Sequence, residues 1–447
     1  MRENNRNSIA SIEKFPQFTT MHVIDGQAGL IICASLIFYS LTIDNILNII
    51  VLLILAEISI QMLTGDNGIL TKAAEAKENT EQSQLEEQRR LASMEAATNL
   101  TETVYNDGEK EIKIPSGFAP TGIEGENTVE DGLVITDSKG NELVWVEVPN
   151  DGTGPDYTGV EENNNIDFLK IAKALAIYSS STLSNNPTSL ADHLPPADKV
   201  GKDYTNEYKD VLKSIYQNGG FWVGRYETGI QGTENATTSA RDFGTDYSTE
   251  HPTEGNVAVI KENVQPYRWV RWGQAQTLVQ GFLPATNNSN HANLLMGVQW
   301  DLVLKFLGKS GDTDSHEWGN YRDSVFSLKP GSHYAKYSSS TLSTTWKAYN
   351  EDEAGFVEAS EKKGLESGNG ILYTTGANIT QNSIKNICDI AGNVWEWTIE
   401  RTSGSSKPCS IRGGFYFYTG LLTPASLRLY YGTSRSYGTI GFRVSLY

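Results

Sequence analysis

The rhythm of apolar and polar positions changes along the chain. From Ala28 to Leu63 apolar residues run almost unbroken in two blocks, "AGLIICASLIFYSLTI" and "ILNIIVLLILAEISIQML", parted by Asp44 and Asn45. Each block is close to the roughly 17 residues that a bilayer span needs, so 28–63 is expected to be a membrane segment behind a polar leader, 1–27. The next region, 64–108, contains "TKAAEAKENTEQSQLEEQRRLASMEAA", strong helix formers without Gly or Pro, which predicts a helical stalk or linker. From 109 to 447 short apolar runs are broken by Gly, Asn, Asp and Pro, the pattern of a folded body.

Within that body "DGLVITDSKGNELVWVEVP" reads as two strands joined by a turn at Ser138-Lys139-Gly140-Asn141, with Val144 and Val146 alternating against Trp145 and Glu147. "IDFLKIAKALAIYSS" has helical spacing, and "NEYKDVLKSIYQNGGFWVGRYETG" reads as a helix followed by a strand. "VRWGQAQTLVQGF" and "MGVQWDLVLKFLG" each read as a short strand feeding a helix. Residues 179–203, rich in Ser, Asn, Pro and Asp, predict an inserted surface loop. The mixture predicts an α+β fold.

Composition narrows the partners. The chain has 447 residues and a formal net charge of -18, which argues against nucleic acid and for a soluble, mutually repelling exterior. Arg2, Arg6 and Lys14 precede the apolar run and favour a cytoplasmic N-terminus with an exported body, whereas two spans would keep the body inside. There are 3 cysteines, which define no disulfide framework; one bridge, Cys388 to Cys409, is open to the chain.

Two resemblances follow from motifs. The polar leader, the apolar helix holding the lone acid Glu57, "MLTGDNGILTKA" and the charged helix resemble the start of type IV pilin-like surface proteins of Gram-positive bacteria, although their processing motif, Gly followed by Phe-Thr-Leu-Ile-Glu, is absent around Gly29. The strings "GGFWVGRYETG", "VRWGQAQ", "GVQWD", "DIAGNVWEWT", "IRGG" and "GFRV", in that order, resemble the formylglycine-generating-enzyme-like (sulfatase-modifying-factor) domain. That resemblance implies a C-type lectin-like fold from about residue 110 onward. Trp395 and Trp397 need a core, and Asn393 and Glu396 can tie the turn around them by hydrogen bonds.

The oxidising enzymes of that family carry a copper-binding cysteine pair just after the Arg-Gly-Gly strand, where this chain has Phe415, Tyr416, Phe417, Tyr418 and Leu421. Cys388 and Cys409 come before the strand. A non-haem iron site would want two histidines and a carboxylate together, and His193, His251, His291, His316 and His333 lack such spacing. "DGTGPDYTG" has no helix after it and reads as a turn, and "GDTDSHEWGN" lacks the terminal Glu of a calcium loop. The resemblance does imply calcium near the Gly-Asn-Val-Trp-Glu stretch, with Asn393 and Glu396 as ligands set against a plain hydrogen-bonded turn.

A subset of this family has its segment from Arg-Gly-Gly to Gly-Phe-Arg rewritten by diversity-generating retroelements, which randomise adenines in Asn codons. The resulting codons never specify Trp, Met, Lys, Glu or Gln, and none of those five occurs from Ser410 to Tyr447. In the variable region 411–447, "TPAS" and "IGFRV" read as framework. Phe415, Tyr416, Phe417, Tyr418, Leu421, Leu422, Leu427, Leu429, Tyr430, Tyr431, Arg435 and Tyr437 read as substituted, ligand-binding positions, a composition suited to binding hot spots. The expectation is a membrane-anchored, cell-surface binding protein rather than an enzyme, taking a protein or glycan ligand on another cell or phage. The alternatives are a formylglycine-generating-type oxidase and a pilin-like adhesin of fixed specificity.

Overall fold

The computed structural model describes residues 46, 48–57, 62, 68–149, 152, 154–179, 187–236, 256–282, 291–324, 328–338, 341–342, 345–349, 370–377, 383–402, 404 and 406–447. The chain divides into two units, Met1–Ser83 and Gln84–Tyr447. In the first, residues 48–57 are helical, with Ile49, Leu52 and Leu55 exposed. No helix among the described residues is long and apolar enough to cross a membrane, and most of the expected segment 28–63 lies outside them.

Helix α1 (Ile69–Thr98) enters the second unit with its later turns. There Ala92 and Ala96 are buried, and Arg89 pairs with Glu126 and Glu142, which Arg225 also holds. Strand pairing starts directly after the helix, Thr103–Asn106 against Glu111–Ile114, so the body takes up the chain before residue 109.

The body is α+β with several small sheets. Its six-stranded antiparallel sheet uses β1 (Phe118–Pro120), β2 (Val134–Asp137), β3 (Glu142–Glu147), β4 (Gly220–Gly224), β5 (Ala292–Leu294) and, at the far end of the chain, β10 (Val444–Leu446), in the order β5-β10-β4-β3-β2-β1. The turn between β2 and β3 falls at the expected residues, and Asp137 Oδ1 accepts from the Lys139 and Asn141 amides across it. Trp145 is buried as well as Val144 and Val146, because elements cover both faces of β3.

Helices pack where the periodicity places them: α2 (Phe168–Leu175), capped by Asp167, α3 (Thr205–Asn218), α4 (Trp272–Val279) and α5 (Gly297–Phe306). The stretch expected as an inserted surface loop is more ordered than its composition suggests. Residues 190–192 form a 3-10 turn, Ala197–Val200 a short helix, and Leu194 is buried in the core.

The second principal sheet has four strands in the order β8-β7-β6-β9: β6 (Trp395–Arg401), β7 (Cys409–Arg412), β8 (Leu429–Tyr431) and β9 (Ile440–Phe442). Only the β6–β9 pairing is parallel within it. A single residue, Arg443, separates β9 in this sheet from β10 in the other.

Candidate functional site

Both glycine-and-arginine strings become structural once the sheets are in place. Arg443 is fully buried at the crossing between sheets. Its Nη2 donates to Glu396 Oε1 at 2.7 Å, its Nε to Glu396 Oε2 at 3.0 Å and its Nη1 to the Gly224 carbonyl at 2.9 Å, so one guanidinium clasps β6 and β4. Arg412, equally buried, donates to Glu400 and to Asp301 of α5, each at 2.9 Å. Arg428 closes the group by pairing with the same two carboxylates. Burial opposes the Glu400 charge, but Arg428 and Arg412 outweigh it and hold that carboxyl below its usual range.

The Trp side chains of the motif have partners across the chain. Trp397 Nε1 donates to the Val270 carbonyl, Trp272 Nε1 to Thr398 and Trp300 Nε1 to Ala425, each at 3.0 Å. The order of sequence strings thus reflects one bonded frame around β6.

The frame leaves calcium no opening at Asn393 and Glu396. The Asn393 Oδ1 accepts from the Tyr373 amide and Asn320 Nδ2, while its Nδ2 donates to the Tyr373 carbonyl and Glu227. Both Glu396 oxygens face Arg443. The oxygens that a hard cation would need are taken by protein donors, so these two residues do not fit the ion. Among the described residues no group of three or more His, Cys, Asp or Glu is placed to hold a metal.

Near Arg443 acids outnumber their partner. Burial, with Asp389 and Glu396 adding repulsion, pushes Glu227 well above the usual carboxyl range. Burial likewise raises Asp389 to about 7, against the pull of the Gly376 amide and Arg443. These groups sit within the core rather than in a cleft.

Nor do the cysteines form a bridge or a reactive pair. Cys388 and Cys409 are both free and buried, and burial raises both thiols, which disfavours the thiolate form. Among the histidines, His193 packs on Tyr208, His291 stacks on Tyr447 and His316 Nδ1 meets Asp314 at 2.9 Å; His251 lies outside the described residues.

The expected ligand-binding positions separate by burial. Gly413 and Gly414 take left-handed φ of 94° and 77°, and a Cβ on Gly414 would stand 2.2 Å from the Thr423 carbonyl. This reversal turns Phe415 and Tyr416 inward: they are 8% and 1% exposed, with Phe415 5.9 Å from the Trp395 ring. Both are core residues, a correction to the reading of them as exposed binding positions. Phe417 is half-buried, and the chain then emerges at Tyr418 (44% exposed), Leu421 (64%) and Leu422 (63%).

The second exposed group lies on β8. Tyr430 is 48% exposed, Leu427, Leu429, Tyr431 and Tyr437 are half-buried, and Arg435 is exposed. The Tyr431 and Tyr437 rings meet edge to face with centroids 4.7 Å apart. Two contributors were not read from the sequence because they lie outside 411–447. Lys407 sets its Nζ 4.9 Å from the Tyr430 ring centre and 5.9 Å from that of Tyr431. Trp269, at a φ of 58° unusual for a bulky residue, lays its ring against Gly438 and donates its backbone N–H to the Tyr437 carbonyl.

No family model and no curated protein matches the chain. Among solved structures it is similar to Treponema denticola variable protein 1, at 13% identity and a TM-score of 0.26, over 51% of this chain and 84% of that one.

Proposed function

We propose that this is a ligand-binding protein, not an enzyme, whose segment 411–447 is a retroelement-diversified binding surface on a C-type lectin-like body of the formylglycine-generating-enzyme kind. The observation that carries the reading is the division within that segment: Tyr418, Leu421, Leu422 and Tyr430 expose large apolar area, while Arg412, Arg428 and Arg443 hold the backbone from inside. Exposed aromatic and leucine side chains on a bonded frame suit recognition, since they can be exchanged without loss of the fold. The residue vocabulary of 410–447, free of Trp, Met, Lys, Glu and Gln, supports rewriting through Asn codons. The apolar run 28–63 would anchor the chain in a membrane and display the body at the cell surface, where it would meet a ligand on another cell or phage.

The test is genomic and direct. Sequencing the flanking DNA should find a near-identical copy of the segment with Asn codons at the substituted positions, beside a reverse-transcriptase gene. Flanks with neither would leave a fixed-specificity adhesin, and turnover by a copper-loaded sample in an oxidation assay would restore the enzyme.

A further inference from the structure

We infer that the β8 side of this surface takes an acidic protein segment, with Lys407 supplying a fixed cation to an aromatic floor whose rings are exchangeable. The inference rests on the proposed binding function and adds the partner's chemistry and a recognition residue outside the rewritten segment.

Charge is distributed unevenly between this surface and the rest of the chain. The protein carries 54 acidic against 36 basic residues, yet Ser410 to Tyr447 contains no Asp or Glu and four arginines. Three of those, Arg412, Arg428 and Arg443, are consumed inside the frame. The fourth, Arg435, is exposed in the turn between Tyr431 and Tyr437, whose rings touch. Lys407 lies over the Tyr430 ring and near that of Tyr431. Among the described residues neither Lys407 nor Arg435 has a carboxylate partner. An exposed lysine over the tyrosines and an exposed arginine in the turn between two of them, on an otherwise acidic protein, complement an apolar segment that bears its own carboxylates.

The same vocabulary argues against a sugar. Hydroxyl groups of glycans are best gripped by planar amide and carboxylate side chains, which offer paired donors and acceptors. From Ser410 to Tyr447 there is no Asn, Gln, Asp or Glu. What remains is ring area, leucine and guanidinium, the side chains that dominate protein hot spots. Nucleic acid would need more phosphate contacts than two cations provide on a chain of net charge -18.

The experiment selects peptides from a random library displayed on phage, using the full chain in detergent as bait. Retained peptides are then assayed on Tyr430→Ala, Lys407→Glu and Arg435→Glu variants whose thermal midpoints match the parent. The expected result is enrichment of Asp and Glu beside apolar residues. Binding should be lost with Tyr430→Ala and weakened about tenfold by Lys407→Glu, with a similar fall as salt rises from about 0.05 to 0.5 M. Peptides that need Tyr430 but ignore Lys407→Glu, Arg435→Glu and salt would overturn the charge assignment and leave the binding surface standing. Peptides indifferent to Tyr430 would overturn both, as would no retained peptide when sulfated-glycan and single-stranded-DNA probes are not retained either. Retention of a sulfated glycan or of single-stranded DNA in place of peptides would overturn the partner class.

Discussion

The inner and outer residues of 411–447 obey opposite rules although they belong to one short stretch. The inner set, Arg412, Phe415, Tyr416, Phe442 and Arg443, is buried and committed to specific partners: Glu400 and Asp301, Trp395, Tyr267, Glu396. The outer set, Tyr418, Leu421, Leu422, Tyr430 and Arg435, stands in solvent. Residue type does not separate them, since Tyr and Arg appear in both. Backbone direction separates them, and the Gly413–Gly414 reversal sets which rings point in.

The comparison is broken most severely at Arg443. Arg443→Met strands the Glu396 carboxylate beside Glu227 and Asp389, and chemical denaturation should register a loss of about 5 kcal/mol, or no folded protein. Phe442→Ala removes a buried ring packed edge to face on Tyr267 and should cost about 4 kcal/mol. Both changes should weaken ligand binding only in proportion to the unfolded fraction.

A third change works in the opposite direction. Asp389 titrates near 7 in the folded protein against an ordinary value of 3.8, so the native state holds its proton more tightly than the unfolded chain does. Its contribution is therefore fully present below the ordinary value and is lost as pH rises through 7, and Glu227 acts with the same sign. Asp389→Asn, which still accepts from the Gly376 amide, should raise stability by up to about 4 kcal/mol at pH 8 and by almost nothing near pH 4. A gain independent of pH, read from paired denaturation curves, would mean that the carboxyl is not held protonated.

At the small end, Tyr430→Ala and Leu422→Ala should leave stability within about 0.5 kcal/mol, as surface changes do. If Tyr430 is a hot spot, its loss should still weaken binding of a selected ligand by about 2 kcal/mol or more. A large fall in the thermal midpoint of either variant would move that residue to the inner set.

Much of the frame was legible because its residues answer to local rules: a helix former run, a turn at Ser138–Asn141, a Trp that must be covered, an Arg beside glycines. Phe415 and Tyr416 were misplaced because "FYFY" has no period. Four large rings in a row carry no sign of which face is wet until the two glycines fix the direction of the chain. Lys407 and Trp269 were missed for another reason. Trp269 reaches Tyr437 and Gly438 only through the fold, and nothing near it in the chain marks that contact. Asn393 and Glu396 read as calcium ligands because ligand-type residues are also good hydrogen-bond partners, and here Arg443, Asn320 and Tyr373 use them.

The crossing at Arg443 has a consequence for synthesis. Strand β10 lies inside the six-stranded sheet, with Ser445 beside Val223 and Asn293, so that sheet cannot close until residues 444–446 have left the ribosome. The exposed positions lie upstream of that closing strand. Any frameshift or premature stop introduced among them deletes both the arginine clasp and the strand, so the chain never matures. Folding therefore checks the reading frame: a body that displays this surface is one whose coding sequence is intact through β10.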